Sequence, residues 1–168
     1  MDIKSKKERS RNMSAIRSGD TKPEMLVRRY LHARGLRYGL HNRKLPGSPD
    51  IVLRKYKTVI FINGCFWHGH EGCKYYRLPK SNIEFWQEKI TRNKERDAFN
   101  VSVLEAKGWK VLTVWECKLR TIAQREDTLT QLVQDIKGGS NNIGYIQEEQ
   151  IHIAAEPDID YGNKLGDL

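Results

Sequence analysis

The sequence predicts an α/β fold in which helices flank a mixed β-sheet. Strand-sized apolar runs alternate with segments of helical periodicity, in the order α-α-β-β-β-α-β-α. The length of 168 residues corresponds to one domain that can bury its own core. No run approaches the roughly 18 consecutive apolar residues of a membrane span, and three cysteines cannot all pair within the chain. We therefore expect an intracellular protein rather than a membrane-spanning or disulfide-stapled one.

Capping signals predict the first two helices. Ser10 begins a short helix that ends near Ser18. The pair Thr21-x-x-Glu24 has the spacing of a capping box, and Gly35 is placed to end the helix that follows. These two helices lie before the first predicted strand.

Two further helices follow later in the chain. A second capping box, Ser81-x-x-Glu84, predicts a long helix that runs to Lys107. Its apolar positions are Phe85, Ile90, Phe99, Val103 and Leu104. Apolar spacing from Ile122 to Ile136 predicts a final amphipathic helix.

The strands are predicted by short apolar runs between turn residues. They span residues 36–41, 50–53, 58–63 and 109–115, with a further edge strand over 146–153. The run over 58–63 is nearly continuous in apolar residues, which is typical of a strand buried on both faces. Asn, Pro, Gly and Ser residues over 42–49 separate the first two strands by a turn.

Charge is distributed unevenly along the chain. The chain has 30 Lys+Arg and 21 Asp+Glu. Residues 1–137 hold 29 of the basic and 15 of the acidic side chains, whereas residues 138–168 hold one basic and six acidic side chains. A basic surplus of this kind suits a polyanionic partner such as DNA, although it also serves solubility alone. We expect a basic DNA-binding arm over 1–20, a domain over 21–137 and a weakly structured acidic segment over 138–168.

A cysteine and histidine cluster has the spacing of a metal site. Cys65, His70 and Cys73 lie in one glycine-rich segment, and Cys117 follows the strand that ends at 115. Three cysteines and one histidine form a closed tetrahedral zinc site in many proteins. Composition does not decide between His68 and His70, and we assign His70 because two residues separate it from Cys73. The alternative is three unrelated buried cysteines.

A second group of polar residues suits a hard metal and a general base. Asp50 begins one strand of a hairpin whose second strand ends at Asn63, so its carboxylate is expected near the cysteine and histidine segment. A carboxylate, a backbone carbonyl and water are ligands that Mg²⁺ prefers. His68 then suits the base that deprotonates water, and Glu24 suits a supporting role. Each residue also has an ordinary interpretation: Asp50 as a turn cap, Glu24 as part of its capping box, and His68 as a loop residue.

Several motifs together resemble one enzyme family. They are LPGSPD at 45–50, VIFINGCFWH at 59–68, FW at 85–86 with EKI at 88–90, Asn93, ERD at 95–97 and VWEC at 114–117. These motifs are similar to those of the very short patch repair DNA mismatch endonucleases (Vsr). The resemblance runs from about Ser10 to about Ile136.

The resemblance implies a restriction-endonuclease-like core and cleavage of one DNA strand on the 5′ side of the mispaired T in a T:G mismatch. Such mismatches arise when 5-methylcytosine is deaminated. By position, Asp50 and the main-chain carbonyl of Ile62 would bind Mg²⁺, His68 would be the general base, and Glu24 would support the site. The zinc ligands implied are the same four: Cys65, His70, Cys73 and Cys117.

The resemblance also implies how DNA is bound. Phe66, Trp67 and Trp86 would wedge into the base stack, and Met13 on the N-terminal arm would enter the minor groove. Lys89 and Asn93 would face the mismatched pair. From the sequence alone, Trp86 also fits a core position, and Lys89 and Asn93 fit the solvated face of a helix. A poorly stacked mismatch is where an apolar wedge costs least.

Asn63 marks a departure from the family, because some members carry a second active-site histidine at this position. Asn can form hydrogen bonds but cannot act as a base near neutral pH, so His68 is left as the histidine candidate. Two other functions stay open: a restriction-type endonuclease on matched duplex, and a non-catalytic, zinc-stabilised DNA-binding module. We expect a monomer at the bacterial nucleoid in the cytoplasm, with mismatch-repair proteins as further partners.

Overall fold

The computed structural model describes residues 7–8, 11 and 19–138. The expected wedge residue Met13, the short helix expected over 10–18 and the edge strand expected over 146–153 lie outside the described residues, apart from Arg11, which is helical. The described elements are α1 (Lys22–Ala33), β1 (Gly39–Leu40), β2 (Ile51–Leu53), β3 (Thr58–Asn63), α2 (Ile83–Ala106), β4 (Lys110–Trp115) and α3 (Ile122–Gly138). Among these helices, none is both long and apolar enough to cross a bilayer.

The four strands form one mixed sheet in the order β1-β2-β3-β4. β1, β2 and β3 are antiparallel neighbours, whereas β3 and β4 are parallel and are connected through α2. The predicted α/β class and mixed sheet are therefore confirmed. β1 is shorter than the predicted strand over 36–41, because it pairs only at Gly39 and Leu40 with the three-residue β2.

Helices cover both faces of the sheet because alternate strand residues point to opposite sides. On one face, Ile51 and Ile60 join the main core, which also holds Leu31 of α1 and Ile136 of α3. On the other face, Val52 and Val59 pack against Leu104 of α2. The sheet is thus a central layer between α1 with α3 and α2.

Two details of the predicted helices were wrong. The long helix begins at Ile83, with Asn82 rather than the predicted Ser81 at its N-cap. Asn82 has a φ of 54°, a left-handed conformation that differs from the extended one usual at an N-cap. The predicted apolar positions Phe85 and Phe99 are 56% and 66% exposed, and Ile122 is 74% exposed. Helical spacing alone did not identify which face meets the sheet.

Candidate active site and metal-binding cluster

A cavity of about 700 Å³ opens at the end of β3. It is lined by all five residues expected for catalysis and Mg²⁺ binding: Glu24, Asp50, Ile62, Asn63 and His68. β2 runs antiparallel to β3, with Ile51 opposite Ile60, so the residue that precedes β2 lies beside the end of β3. The hairpin thus brings the carboxylate to the segment that carries the histidine. Trp67, Arg96 and Asp97 line the same cavity.

The Asp50 carboxylate is held on the cavity wall. Its Oδ2 accepts a hydrogen bond of 2.7 Å from the Ile62 N–H. Burial raises the pKa of Asp50; the Ile62 hydrogen bond opposes this rise, and the negative charge of Glu24 adds to it. A half-buried carboxylate beside a second carboxylate, with a strand end nearby, is a donor set that fits a hard divalent cation.

Glu24 has two roles that the sequence presented as alternatives. Its N–H donates to Thr21 Oγ1 at 3.4 Å and its Oε2 accepts from the Asp20 N–H at 3.1 Å, so it completes the start of α1. The side chain also lines the cavity and is buried, with 5% exposure. Arg28, one turn later, donates from Nη2 to Glu24 Oε2 at 2.7 Å. The buried glutamate is therefore ion-paired with a buried arginine.

His68 is paired with a residue that sequence reasoning had not assigned to catalysis. Its Nδ1 lies 2.5 Å from Oδ2 of Asp97, which projects from α2. The only sequence signal was the position of Asp97 in the ERD motif at 95–97. A carboxylate that accepts the Nδ1 proton leaves Nε2 of the imidazole free to accept another proton.

The four expected zinc ligands come together. The ligand atoms of Cys65, His70, Cys73 and Cys117 all lie within 4.8 Å of one another. His70 Nδ1 is 3.5 Å from Sγ of Cys65 and 3.5 Å from Sγ of Cys117. Tetrahedral zinc, with Zn–S near 2.3 Å, requires ligand atoms about 3.5–3.8 Å apart. The donor set therefore fits zinc, and His70 rather than His68 joins the cysteines.

The cysteines respond differently to their surroundings. Burial raises the pKa of Cys65 to about 12 and also raises the pKa of Cys117. At Cys73 burial acts in the same direction, but hydrogen bonds from the Tyr75 backbone and from Cys65 lower its pKa overall. Burial and the charge of Lys118 lower the pKa of His70, so its imidazole is a neutral ligand. The two thiols with raised pKa values, Cys65 and Cys117, are expected to lose their protons only to a bound cation.

Trp115, at the end of β4, is half-buried and stacks on His70 of the cysteine and histidine cluster. The ring centroids of Trp115 and His70 are 4.0 Å apart with an interplanar angle of 3°. The indole therefore fixes the ring plane of His70 from the end of β4. Partners of this kind orient the ligands of protein metal sites.

The expected wedge residues form one aromatic cluster beside the cavity. Phe66 lies 5.1 Å from Trp67 and 5.3 Å from Trp86 between ring centroids, and the two tryptophans are 6.0 Å apart. Phe85, predicted as a core residue, extends this cluster at 5.3 Å from Trp86 and is 56% exposed. An exposed aromatic group next to charged residues is suited to stacking on bases.

Lys89 and Asn93 lie one turn apart on α2, as expected, and they differ in their contacts. Lys89 is exposed. Asn93 is half-buried, and its Nδ2 donates to the main-chain carbonyl of Trp67 at 2.9 Å. Asn93 therefore attaches the loop of the aromatic cluster to the helix.

Comparison with known proteins identifies close relatives. A family model described as DNA mismatch endonuclease Vsr matches residues 1–74. The chain is 51% identical to the type II nicking enzyme V.NmeAIP of Neisseria meningitidis serogroup A, over 81% of the chain and 96% of that protein. It is 44% identical to the type II nicking enzyme V.XorIIP of Xanthomonas oryzae pv. oryzae, over 72% and 88%. It is 40% identical to the DNA mismatch endonuclease Vsr of Escherichia coli, over 92% and 99%.

Proposed function

The chain belongs to the Vsr family of DNA mismatch endonucleases, and we propose that it nicks one strand of a T:G mismatch on the 5′ side of the mispaired T. It is thus an endonuclease of mismatch repair. The observation that carries the finer proposal is the shared cavity: Asp50 and the His68–Asp97 pair lie beside the aromatic cluster. A wedge next to a hydrolytic site couples mismatch detection to cleavage.

His68 is proposed to activate the attacking water. Asp97 accepts the Nδ1 proton of His68, and Nε2 is then the nitrogen that takes a proton from water. The 2.5 Å contact fixes the ring before substrate arrives and stabilises the imidazolium that forms. Asn63 lines the cavity as a hydrogen-bonding residue and not as a second base.

Asp50 and the Ile62 carbonyl are proposed to hold Mg²⁺, with Glu24 nearby. Bound Mg²⁺ supplies positive charge that stabilises the negatively charged phosphoryl oxygens during hydrolysis. The Ile62 N–H fixes one oxygen of the Asp50 carboxylate, so the carboxylate is oriented without a cation. Glu24 is ion-paired with Arg28, and its negative charge raises the pKa of Asp50.

A structural zinc ion is proposed at Cys65, His70, Cys73 and Cys117. Its ligands enclose the segment that carries Phe66, Trp67 and His68, because that segment lies between Cys65 and His70. Zinc would therefore hold the wedge and the base in one rigid loop.

DNA recognition is proposed to begin at the wedge. Phe66, Trp67 and Trp86 would enter the base stack where the mismatch weakens it, with Lys89 and Asn93 toward the mismatched pair and Met13 from the minor groove. We also infer a restriction-endonuclease-like nuclease domain over 21–137, a DNA-binding arm over 1–20 and an acidic segment over 138–168. A monomer acting on chromosomal DNA in the cytoplasm, with mismatch-repair proteins as partners, completes this proposal.

The test is strand-specific nicking of matched and mismatched duplexes. Duplexes with one T:G, T:A or C:G pair in randomised flanking sequence are incubated with Mg²⁺ and the wild-type protein, the Asp50→Asn variant or the exposed-site control Asp127→Asn. We expect the wild type and the control to nick only the T strand of T:G duplexes, 5′ to the T. Equal cutting of T:A duplexes would instead support a restriction-type enzyme. Binding without any Asp50-dependent nick would support a DNA-binding module.

A further inference from the structure

Three side chains, those of Glu24 and Arg28 on α1 and of His41, form a chain of contacts that leads to the Asp50 carboxylate. Arg28 Nη2 lies 2.7 Å from Oε2 of Glu24 and 2.7 Å from Nε2 of His41. The other ring nitrogen of His41, Nδ1, lies 3.9 Å from Oδ1 of Asp50. Arg28 is 7% exposed and Glu24 is 5% exposed, so these two side chains are shielded from water, whereas the His41 ring that links them to Asp50 is 36% exposed.

The contact with Arg28 determines the tautomer of His41. A guanidinium group has only donors, so Nε2 of His41 must accept the hydrogen bond. The ring proton then resides on Nδ1, the nitrogen that faces Asp50. The Nδ1–H dipole therefore points toward the carboxylate oxygen that Ile62 does not bind.

The backbone also holds the His41 ring in this place. His41 has a φ of 43°, a left-handed conformation that is uncommon for residues other than glycine. Its N–H donates to the Asp50 carbonyl at 3.2 Å. Gly19 packs on the ring, since a Cβ atom there would lie 3.4 Å from Cε1 and from Nε2. A strained residue confined in this way is typical of functional sites.

The acidic and histidine side chains around Arg28 resemble a metal site but are occupied by its guanidinium. Ligand atoms of Asp20, Glu24 and His41 lie within 4.8 Å of one another. Arg28 contacts all three, at 2.5 Å to Asp20 Oδ1 and at 2.7 Å to the other two. A cation of the chain itself therefore balances this cluster, and Asp50 stays the available oxygen ligand.

We propose that His41, held in its Nδ1–H tautomer by Arg28, is a positioning residue that orients the Asp50 carboxylate for its metal. Oδ2 is fixed by the Ile62 N–H, and Oδ1 is attracted by the His41 N–H. At 3.9 Å this attraction is electrostatic and not a hydrogen bond, so the Oδ1 lone pairs stay available to a cation. This inference rests on the proposed role of Asp50.

Two substitutions at His41 distinguish loss of the Nδ1–H donor from a change in backbone strain. Both Asn and Gly tolerate the positive φ, so neither variant adds backbone strain. His41→Asn retains an N–H donor near the position of Nδ1, whereas His41→Gly removes it. Loss of an outer-shell partner costs about 10–100-fold in metal affinity or activity. We expect a loss of this size in His41→Gly, both in the single-turnover nicking rate and in Mn²⁺ affinity of the DNA-free protein, and recovery of most of it in His41→Asn.

Three measurements decide the inference. Long-range ¹H–¹⁵N correlation spectra of the metal-free protein are expected to show the Nδ1–H tautomer at His41, and an Nε2–H tautomer would overturn the inference. A His41→Gly variant with the nicking rate and Mn²⁺ affinity of the wild type would also overturn the inference. Equal losses of rate and affinity in the Gly and Asn variants would overturn it as well. T:G duplex affinity without metal is expected to stay unchanged. If the Asp50→Asn variant nicks at the wild-type rate, the proposed function fails. If Asp50→Asn is inactive but His41→Gly nicks at the wild-type rate, the proposed function stands and only the inference about His41 fails.

Discussion

His68 Nδ1 and Asp97 Oδ2 lie 2.5 Å apart, although 29 residues separate them in the chain. The histidine belongs to the loop after β3 and the aspartate to α2, so the contact joins two elements on the cavity wall. Such an acceptor selects the Nδ1–H tautomer of the histidine and leaves Nε2 free to accept a proton, as the proposed role of His68 requires.

Asp97→Asn is expected to lower the nicking rate by about 10²–10⁴-fold, because an amide can donate to Nδ1 and stabilise the opposite tautomer. Single-turnover assays on T:G duplexes measure the rate. Asp127→Asn, on the exposed side of α3, removes the same charge far from this contact and is the control. An Asp97→Asn enzyme as fast as the control would exclude this role.

Asp50→Asn is expected to stabilise the metal-free protein at neutral pH while abolishing nicking. The pKa of Asp50 is raised in the folded state, so its ionisation opposes folding above that pKa and has no effect below the unfolded value of 3.8. The amide can still accept from Ile62 N–H. The unfolding temperature at pH 7 is expected to be higher in the variant than in the wild type, and the difference is expected to disappear at pH 3. A lower unfolding temperature at pH 7 would contradict the direction.

Zinc affinity is expected to rise with pH between 6 and 8. The Cys65 and Cys117 thiols have raised pKa values and hold their protons at neutral pH, so zinc must displace them. Each displaced proton contributes about tenfold in affinity per pH unit. Chelator competition at several pH values measures this slope. A zinc affinity that stays constant between pH 6 and 8 would contradict the displacement of these protons.

Trp67→Ala and Trp86→Ala are expected to weaken binding to T:G duplexes. Aromatic stacking on a base contributes about 1–3 kcal/mol, which is roughly 5- to 150-fold in affinity. Phe99→Ala is the matched control, since Phe99 is an exposed aromatic residue of the same helix outside the cluster. Fluorescence anisotropy gives the dissociation constants. Equal effects at Trp86 and Phe99 would mean that the cluster is not a wedge.

Gly69→Ala is expected to disrupt the loop more than Gly72→Ala. Both glycines have positive φ values, 59° and 69°, so each substitution carries the left-handed cost of about 1–2 kcal/mol. Only at Gly69 would the new Cβ meet neighbours, at 2.8 Å from Ile90 Cγ2 and 2.9 Å from Lys94 Cδ. Unfolding temperature and nicking rate of the two variants isolate the clash. Equal losses of unfolding temperature and nicking rate in the two variants would show that the Ile90 side chain moves to make room for the new Cβ.

Local features of the sequence were sufficient for several parts of this protein. The strand over 58–63 matches β3 because a run of apolar residues of that length has few other solutions. The capping box at Thr21 and Glu24 starts α1, since both partners lie within one turn. The order of the elements from α1 to α3 also follows from local periodicity.

Other features depended on how the elements pack. Phe85 and Phe99 have helical spacing, but α2 meets the sheet through Leu104 and leaves both phenylalanines exposed. A helix of 24 residues over a four-stranded sheet buries only part of its length. Periodicity identifies an apolar stripe but not the portion of it that another layer covers.

The sequence by itself determined the α/β class and indicated the candidate cysteine and histidine cluster and the candidate acid Asp50, because each depends on residue types in short segments. Only the tertiary structure decided the partners of those residues: Asp97 for His68, and Arg28 with His41 for Asp50. Those contacts join separate elements, and their distances depend on strand register and helix packing. Sequence spacing constrains neither strand register nor helix packing. The types of the site residues could therefore be predicted from the sequence, but the contacts that orient their side chains could not.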